Sequence, residues 1–153
     1  MAMRLTAQTP LYVFCYHSHI ASKSPQRGSG TGHKAASIIL VLHDVEEVRD
    51  LIQKLLTIDG YSVDPARDEE TAVVIALRQP PDLLLVSLAG DGAEAVATAQ
   101  RIRQRAQLTE DVAVVIFCSP TVAEGAEVEL AGNVHLTRPD TFEQLRRLLS
   151  RLS

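Results

Sequence analysis

The sequence predicts a single α/β domain in which helices cover both faces of a parallel sheet. Three observations support this fold class. The chain of 153 residues is long enough to bury a core without disulfides or metals. From Ala36 onward, short apolar runs alternate with longer amphipathic ones, which is typical of repeated strand–helix units. The core must be aliphatic, because Trp is absent and only 4% of the residues are aromatic.

The first unit consists of a strand over Ser37–Leu42 and a helix that ends near Ile58. Apolar residues recur along this helix at the spacing of one face. We expect Asp44 to cap the helix, with Glu47 three residues later completing a pair similar to a capping box. Gly60 is expected to end it, because glycine adopts the left-handed conformation that often follows a helix.

The later elements follow the same alternation. Further strands are predicted at Tyr61–Asp64, Leu83–Val86, Val112–Phe117 and Val134–Leu136. Further helices are predicted at Asp68–Leu77, Gly92–Arg105, Thr121–Leu130 and Thr141–Leu152. The helix over Thr121–Leu130 is the weakest of these, because Gly125 in its interior costs about 1 kcal/mol relative to Ala. Five units joined by right-handed crossovers predict a doubly wound, five-stranded parallel sheet of the flavodoxin-like type.

Polar side chains stand at the predicted carboxyl ends of the strands. They are His43, Asp44, Ser87, Cys118, Ser119 and Arg138. In a doubly wound sheet the ligand crevice lies at this edge, beside the point where the strand order reverses. The fold class therefore locates the candidate site before any motif is considered.

Charge is divided unevenly along the chain. The net charge is −4, yet all 19 acidic residues lie at or after Asp44, and residues 1–35 hold four basic residues and no acidic one. Duplex DNA and anionic membranes both favour a basic face, so we expect neither a nucleic-acid nor a membrane partner. Two cysteines are too few for a disulfide framework, and a reducing, cytoplasmic compartment is the default expectation.

Residues 1–35 are expected to form a flexible basic arm, with the domain spanning residues 36–153. Leu11–Tyr16 is a short apolar run, and Ser22–Lys34 is rich in Ser, Gly and Pro, as linkers are. A secretory signal is the alternative, but the apolar run is short and no clear cleavage site follows it. We expect the arm to contribute little to folding.

Four parts of residues 36–153 together resemble the receiver domain of two-component response regulators. They are Ile38–Asp44 with Glu47–Arg49, Gly60–Val63 with Ala66–Asp68, Pro81–Val86, and Leu136–Pro139. They are similar to the family's first strand with its acidic pair and helix, its second strand and helix start, its third strand, and its Lys-Pro element. The resemblance implies a flavodoxin-like fold and a role in two-component (phosphorelay) signalling.

The resemblance also implies a phosphorylation pocket that is degenerate in this chain. In the family, an acidic pair holds Mg²⁺, an aspartate ending the third strand accepts phosphoryl, and a Thr or Ser and a Lys contact its oxygens. Those positions fall on His43 and Asp44, on Ser87, on Cys118 with Ser119 beside it, and on Arg138. A serine cannot form an acyl phosphate, and one carboxylate is a poor Mg²⁺ site. The resemblance therefore implies a pseudo-receiver without a cofactor, in which Asp44 is at most a weak metal ligand.

Several of these residues have a second interpretation. Asp44 is more simply a helix cap than a metal ligand, and Asp91 is more simply a turn or capping residue than a substitute acid. His43 fits a hydrogen-bonded histidine at a strand end. Cys118 fits a small buried residue better than a thiol made reactive by Arg138.

We expect a non-enzymatic, stand-alone signalling module that acts without phosphorylation, through contacts with a kinase, regulator or output protein. The alternatives are a phosphoaccepting receiver that uses Asp44 or Asp91, and a flavodoxin-like domain that binds a small anion at Arg138. The predicted fourth and last helices also carry opposite charges that would match across a two-fold axis in a homodimer. This expected interface consists of Glu124, Glu127, Arg146, Arg147 and Arg151.

Overall fold

The structure is a computed structural model that describes residues 36–88, 92–117 and 122–153. Its strands are β1 (Ile38–His43), β2 (Ser62–Ala66), β3 (Leu83–Ser87), β4 (Ala113–Phe117), β5 (Glu127–Leu130) and β6 (Val134–Thr137). Its helices are α1 (Glu46–Ile58), α2 (Glu69–Arg78), α3 (Gly92–Arg105) and α4 (Phe142–Leu152). None of these four helices is both long and apolar enough to cross a membrane. The predicted arm, Asp91, Cys118 and Ser119 lie outside the described residues.

The six strands form one sheet in the order β2-β1-β3-β4-β6-β5. Five of them are parallel to their neighbours, and β5 pairs antiparallel with β6. The parallel strands follow the flavodoxin-like order, which confirms the predicted doubly wound fold. The sheet has one strand more than expected, because β5 adds an antiparallel edge.

The central strands are buried on both faces, since helices lie on either side of the sheet. Leu40 of β1 and Leu84 of β3 pack in one cluster with α2 and α3. Their neighbours Ile39 and Leu85 point the opposite way and pack with α1 and α4. All four side chains are 0% exposed, so each face of the sheet forms a buried core with its own helix layer.

Local sequence signals explain the starts of two helices and the end of a third, and these bounds lie within two residues of the predicted ones. The Asp68 carboxylate accepts from the Thr71 N–H (2.8 Å) at the start of α2. The Thr141 hydroxyl accepts from the Gln144 N–H (3.3 Å) at the start of α4. Gly60 follows α1 with a φ of 101°, which is the left-handed conformation expected after a helix.

The predicted cap of α1 is wrong. The residue at the capping position is Val45, and no side chain there bonds the helix N-terminus. Asp44 lies one position too early for this role. The Val45 N–H instead donates to Nδ1 of His43 (3.0 Å), so an imidazole nitrogen closes the turn between β1 and α1.

The helix predicted for Thr121–Leu130 is also wrong, as far as the structure describes it. From Val122 the chain makes a turn and then enters β5. Gly125 has a φ of 80°, and its N–H donates to the Arg138 carbonyl (2.6 Å). A left-handed residue tied to a neighbouring strand interrupts any helix through this position.

A hairpin replaces that helix. Gly132 and Asn133 have φ values of 79° and 63° and connect β5 to β6. Asn133 also donates from its side chain to the Glu110 carbonyl (2.9 Å), which anchors the turn. The residues of β5 alternate between polar and apolar, and a Gly-Asn turn follows them, which together are typical of a hairpin.

Candidate functional site

His43 and Ser87 lie side by side at the carboxyl edge of the sheet. Each is the last residue of its strand, and the register of β1 and β3 pairs them directly. They are 4% and 6% exposed. The structure thus brings together two of the residues that the sequence placed at the candidate site, and it buries both.

The surroundings of His43 keep its imidazole neutral. Burial lowers the pKa of His43 from 6.5 to about 4, Arg49 acts in the same direction, and Asp44 acts against both. Because Nδ1 accepts from the Val45 N–H, the hydrogen of the neutral ring belongs on Nε2. The last residue of β1 is therefore an uncharged, buried ring.

Arg49 is a site residue that sequence reasoning missed. It lies on α1, one turn beyond the strand end, and its Nη1 donates to the His43 carbonyl (2.7 Å). This bond holds the first turn of α1 against the end of β1. The sequence placed Arg49 only within a family-like segment, and no local signal gave it a role at the pocket.

Asp44 is the one carboxylate among the described strand-end residues of the candidate site. Its side chain is 46% exposed, and Oδ1 lies 3.6 Å from Nδ1 of His43. No group of three or more His, Cys, Asp or Glu side chains suited to a metal occurs within the described ranges. A neutral imidazole, a hydroxyl and one exposed carboxylate do not fit Mg²⁺, which prefers several oxygen ligands in octahedral geometry. We assign no chemical step to this ion.

Arg138 follows β6 on the same edge of the sheet and is half-buried. Its backbone is fixed by the entry to the hairpin, since its N–H donates to the Ala126 carbonyl (3.2 Å) and its carbonyl accepts from Gly125. The strand order puts β4 between β6 and β3, so the backbone of Arg138 is about 10 Å from that of Ser87.

The chain is similar in sequence to known regulatory proteins, although no family model matches it. The chain is 27% identical over 115 residues to the uncharacterized transcriptional regulatory protein YrkP of Bacillus subtilis, covering 74% of this chain and 48% of that protein. It is 26% identical over 113 residues to the phosphate regulon transcriptional regulatory protein PhoB of Pseudomonas aeruginosa, covering 70% and 47%. The chain spans about half the length of these curated relatives.

Solved structures match the fold over most of the domain. The chemotaxis protein CheY4 of Vibrio cholerae superposes with a TM-score of 0.60 at 19% identity, covering 78% of this chain and all of that one. The response regulator TrrA of Thermotoga maritima gives 0.59 at 19% identity, covering 76% and 99%. The described domain has the receiver fold. Together with the curated relatives, these matches support a response-regulator receiver-like signalling domain.

The receiver-like domain has strand β5 where the sequence predicted a helix over Thr121–Leu130, and this affects the expected dimer interface. Glu127 lies on β5 rather than on a helix, and it pairs with Arg151 of α4 in the same chain (2.8 Å). Arg146 pairs with Asp59, which follows α1, and with Glu143. The premise of two helices sharing one face is therefore wrong. Glu124 lies in the turn before β5, and Arg147 remains exposed on α4.

Proposed function

We propose that this receiver-like domain signals without being phosphorylated, through contacts with other proteins, as a pseudo-receiver. The observation that carries the proposal is the buried pair of His43 and Ser87 at the ends of β1 and β3. A hydroxyl stands where a receiver would present its phosphoacceptor carboxylate. A neutral imidazole stands beside it where the resemblance implies an acid.

The chemistry of these two side chains opposes phosphoryl transfer. Transfer to a carboxylate needs a nucleophilic oxyanion, together with cations that neutralise charge on the moving phosphoryl group. Ser87 is uncharged, and the neutral His43 supplies neither a metal ligand set nor a cation. Arg138 keeps a positive charge, but its planar, forked head group is not equivalent to the point charge of a lysine.

The partners we propose are proteins of the same kind of pathway. The similar protein TrrA has been crystallised with the histidine kinase ThkA, with a TM-score of 0.58 between this chain and the matched structure. That likeness supports a kinase, regulator or output protein as the partner. A non-enzymatic role, a cytoplasmic location and the lack of a nucleic-acid partner belong to the same proposal.

The test is to incubate the full chain with acetyl phosphate and Mg²⁺ and to measure its intact mass. We expect no added phosphoryl group, either in the native chain or in Ser87→Ala, with a phosphorylatable receiver domain treated in parallel to show that the donor is active. A hydroxylamine-labile phosphoryl group would overturn the proposal. Its loss in Asp44→Asn or in Asp91→Asn would then identify the acceptor.

A titration with inorganic phosphate tests the anion-binding alternative. Inorganic phosphate is titrated into the native chain and into Arg138→Ala, and backbone amide resonances are followed. Saturable shifts in the native chain that disappear in Arg138→Ala would favour a flavodoxin-like anion site. We expect no saturable shift.

A further inference from the structure

The outer edge of β5 is an unpaired strand edge within the described part of the chain. The strand bonds to β6 on one side only, since it ends the strand order of the sheet. All four of its residues are exposed. Such an edge presents backbone N–H and C=O groups that a further extended segment can bond.

One face of β5 is also apolar and uncovered. Val128 and Leu130 stand opposite Leu136 and Val134 of β6, and directly opposed residues of an antiparallel pair share a face. That face belongs to the layer of α2 and α3. Val128 is 43% exposed and Leu130 is 38% exposed, so the described helices leave this end of the layer open.

The opposite edge of the sheet differs in both respects. In β2, Pro65 has no backbone N–H to donate and blocks an added strand, as proline does on protected edges. Helices α1 and α2 both pack against β2. Of the two edges that the described strands form, only β5 combines an unpaired backbone edge with an exposed apolar face.

We propose that the apolar segment Leu11–Tyr16 of this chain pairs with the outer edge of β5 as a seventh strand and covers Val128 and Leu130. The segment contains β-branched and aromatic residues, which favour strands. Tyr12, Phe14 and Tyr16 are half of the Phe and Tyr residues of the chain. Composition alone predicted an arm that contributes little to folding. The unpaired edge of β5 offers the apolar segment of that arm a place to dock.

Charge favours this occupant over a second copy of the domain. Four basic residues of the arm flank the apolar segment, at positions 4, 23, 27 and 34, with no acidic residue among them. The β5 edge carries Glu129 and Glu127, of which Glu127 pairs with Arg151 of α4. Pairing β5 of one copy with β5 of another would place these glutamates beside their counterparts, and like charges on adjacent strands are destabilising.

The length of the connection also fits. Nineteen residues separate Tyr16 from Ala36, and a flexible chain of that length spans roughly 22–26 Å on average. The strand order puts a strand on the outer edge of β5 five spacings away from β1, which is about 24 Å. Because β6 is parallel to β1, the Leu130 end of β5 lies at the edge of the sheet where β1 begins.

Cys15 allows a direct test by disulfide trapping in the full chain. Val128→Cys and Glu129→Cys, each combined with Cys118→Ser, place a partner thiol on either face of β5. Ser62→Cys in the same background is the matched control on the exposed start of β2. That site is one strand from β1, so an arm without a docking site would reach it more often than β5. Disulfides are formed with oxidised glutathione and identified by non-reducing peptide mapping.

We expect an intramolecular Cys15 disulfide with at least one β5 cysteine to form at least tenfold faster than with the β2 cysteine. Val13→Pro, which removes an N–H from the added strand, is expected to abolish this preference, whereas Ser29→Pro in the linker is not. Equal or faster trapping at β2, or no trapping, would overturn the proposal. A disulfide-linked dimer as the main product would overturn it in favour of a second copy.

Discussion

The centre of the sheet and its hairpin edge follow different rules in this protein. In β1 and β3 nearly every side chain is buried, because helices cover both faces. In β5 all four residues are exposed. The two glutamates lie on one face of the strand, and Val128 and Leu130 lie on the other. Hydrophobic burial determines the structure at the centre of the sheet, whereas the hairpin depends on turn geometry at Gly125, Gly132 and Asn133.

This difference explains why the side chains of the candidate site are buried. His43 and Ser87 end two buried strands at the centre of the sheet, and burial is the largest cause of the lowered pKa of His43. The hairpin offers the opposite environment, with an open backbone edge and solvated carboxylates. A contact surface suits such an edge better than a buried chemical site does.

The largest expected difference is in core packing. Leu84→Ala in β3 should lower the free energy of unfolding by about 2–5 kcal/mol, since a fully buried leucine leaves a cavity. Val128→Ala in β5 should lower it by less than about 2 kcal/mol, because the described residues leave Val128 43% exposed and the change removes only two methyl groups, even where the proposed strand covers them. Urea unfolding of both variants measures this difference. Equal losses would contradict the contrast between the centre of the sheet and its hairpin edge.

The next largest effect is a pH dependence of the free energy of unfolding, which arises from His43 at the end of β1. The pKa of His43 is about 4 in the folded domain and about 6.5 when unfolded, so the unfolded chain binds a proton in that window and the folded chain does not. The free energy of unfolding therefore falls as the pH drops from about 6.5 to about 4. This contribution is absent above pH 7 and amounts to about 2 kcal/mol at pH 5.

His43→Asn is the matched control for this term. Asparagine offers an oxygen acceptor to the Val45 N–H and does not titrate. Urea unfolding at pH 7.5 and pH 5 should show a loss that is about 2 kcal/mol greater in the native chain than in the variant. The same pH slope in both chains would mean that His43 is protonated in the folded state.

The smallest expected effects are electrostatic. Arg146→Met should lower the free energy of unfolding by about 1–2 kcal/mol, because Asp59, whose side chain is only 16% exposed, loses a two-pronged partner. Methionine preserves packing on the Phe142 ring, which lies 5.6 Å from the guanidinium. Arg151→Met, which removes the exposed pair with Glu127, should cost no more than about 0.5 kcal/mol. Urea unfolding with identical effects would contradict this order.

The sequence by itself determined the central part of the fold. Runs such as Ile38–Leu42 and Leu83–Val86 are apolar throughout, and a strand with that pattern is stable only between two helix layers. Capping at Asp68 and Thr141 and the stop at Gly60 depend on neighbours along the chain, so local pattern predicted them well. The strand-end positions of His43 and Ser87 followed from the same pattern.

Only the tertiary structure decided the remainder. Helix-forming residues between Val122 and Leu130 favoured a helix, but the bond from Gly125 to Arg138 and the pairing of β5 with β6 outweighed that preference. The role of His43 as the acceptor for Val45, and its lowered pKa, depend on burial between strands that are distant in sequence. Local propensities are worth a few tenths of a kcal/mol per residue, whereas burial and strand pairing act over the whole domain.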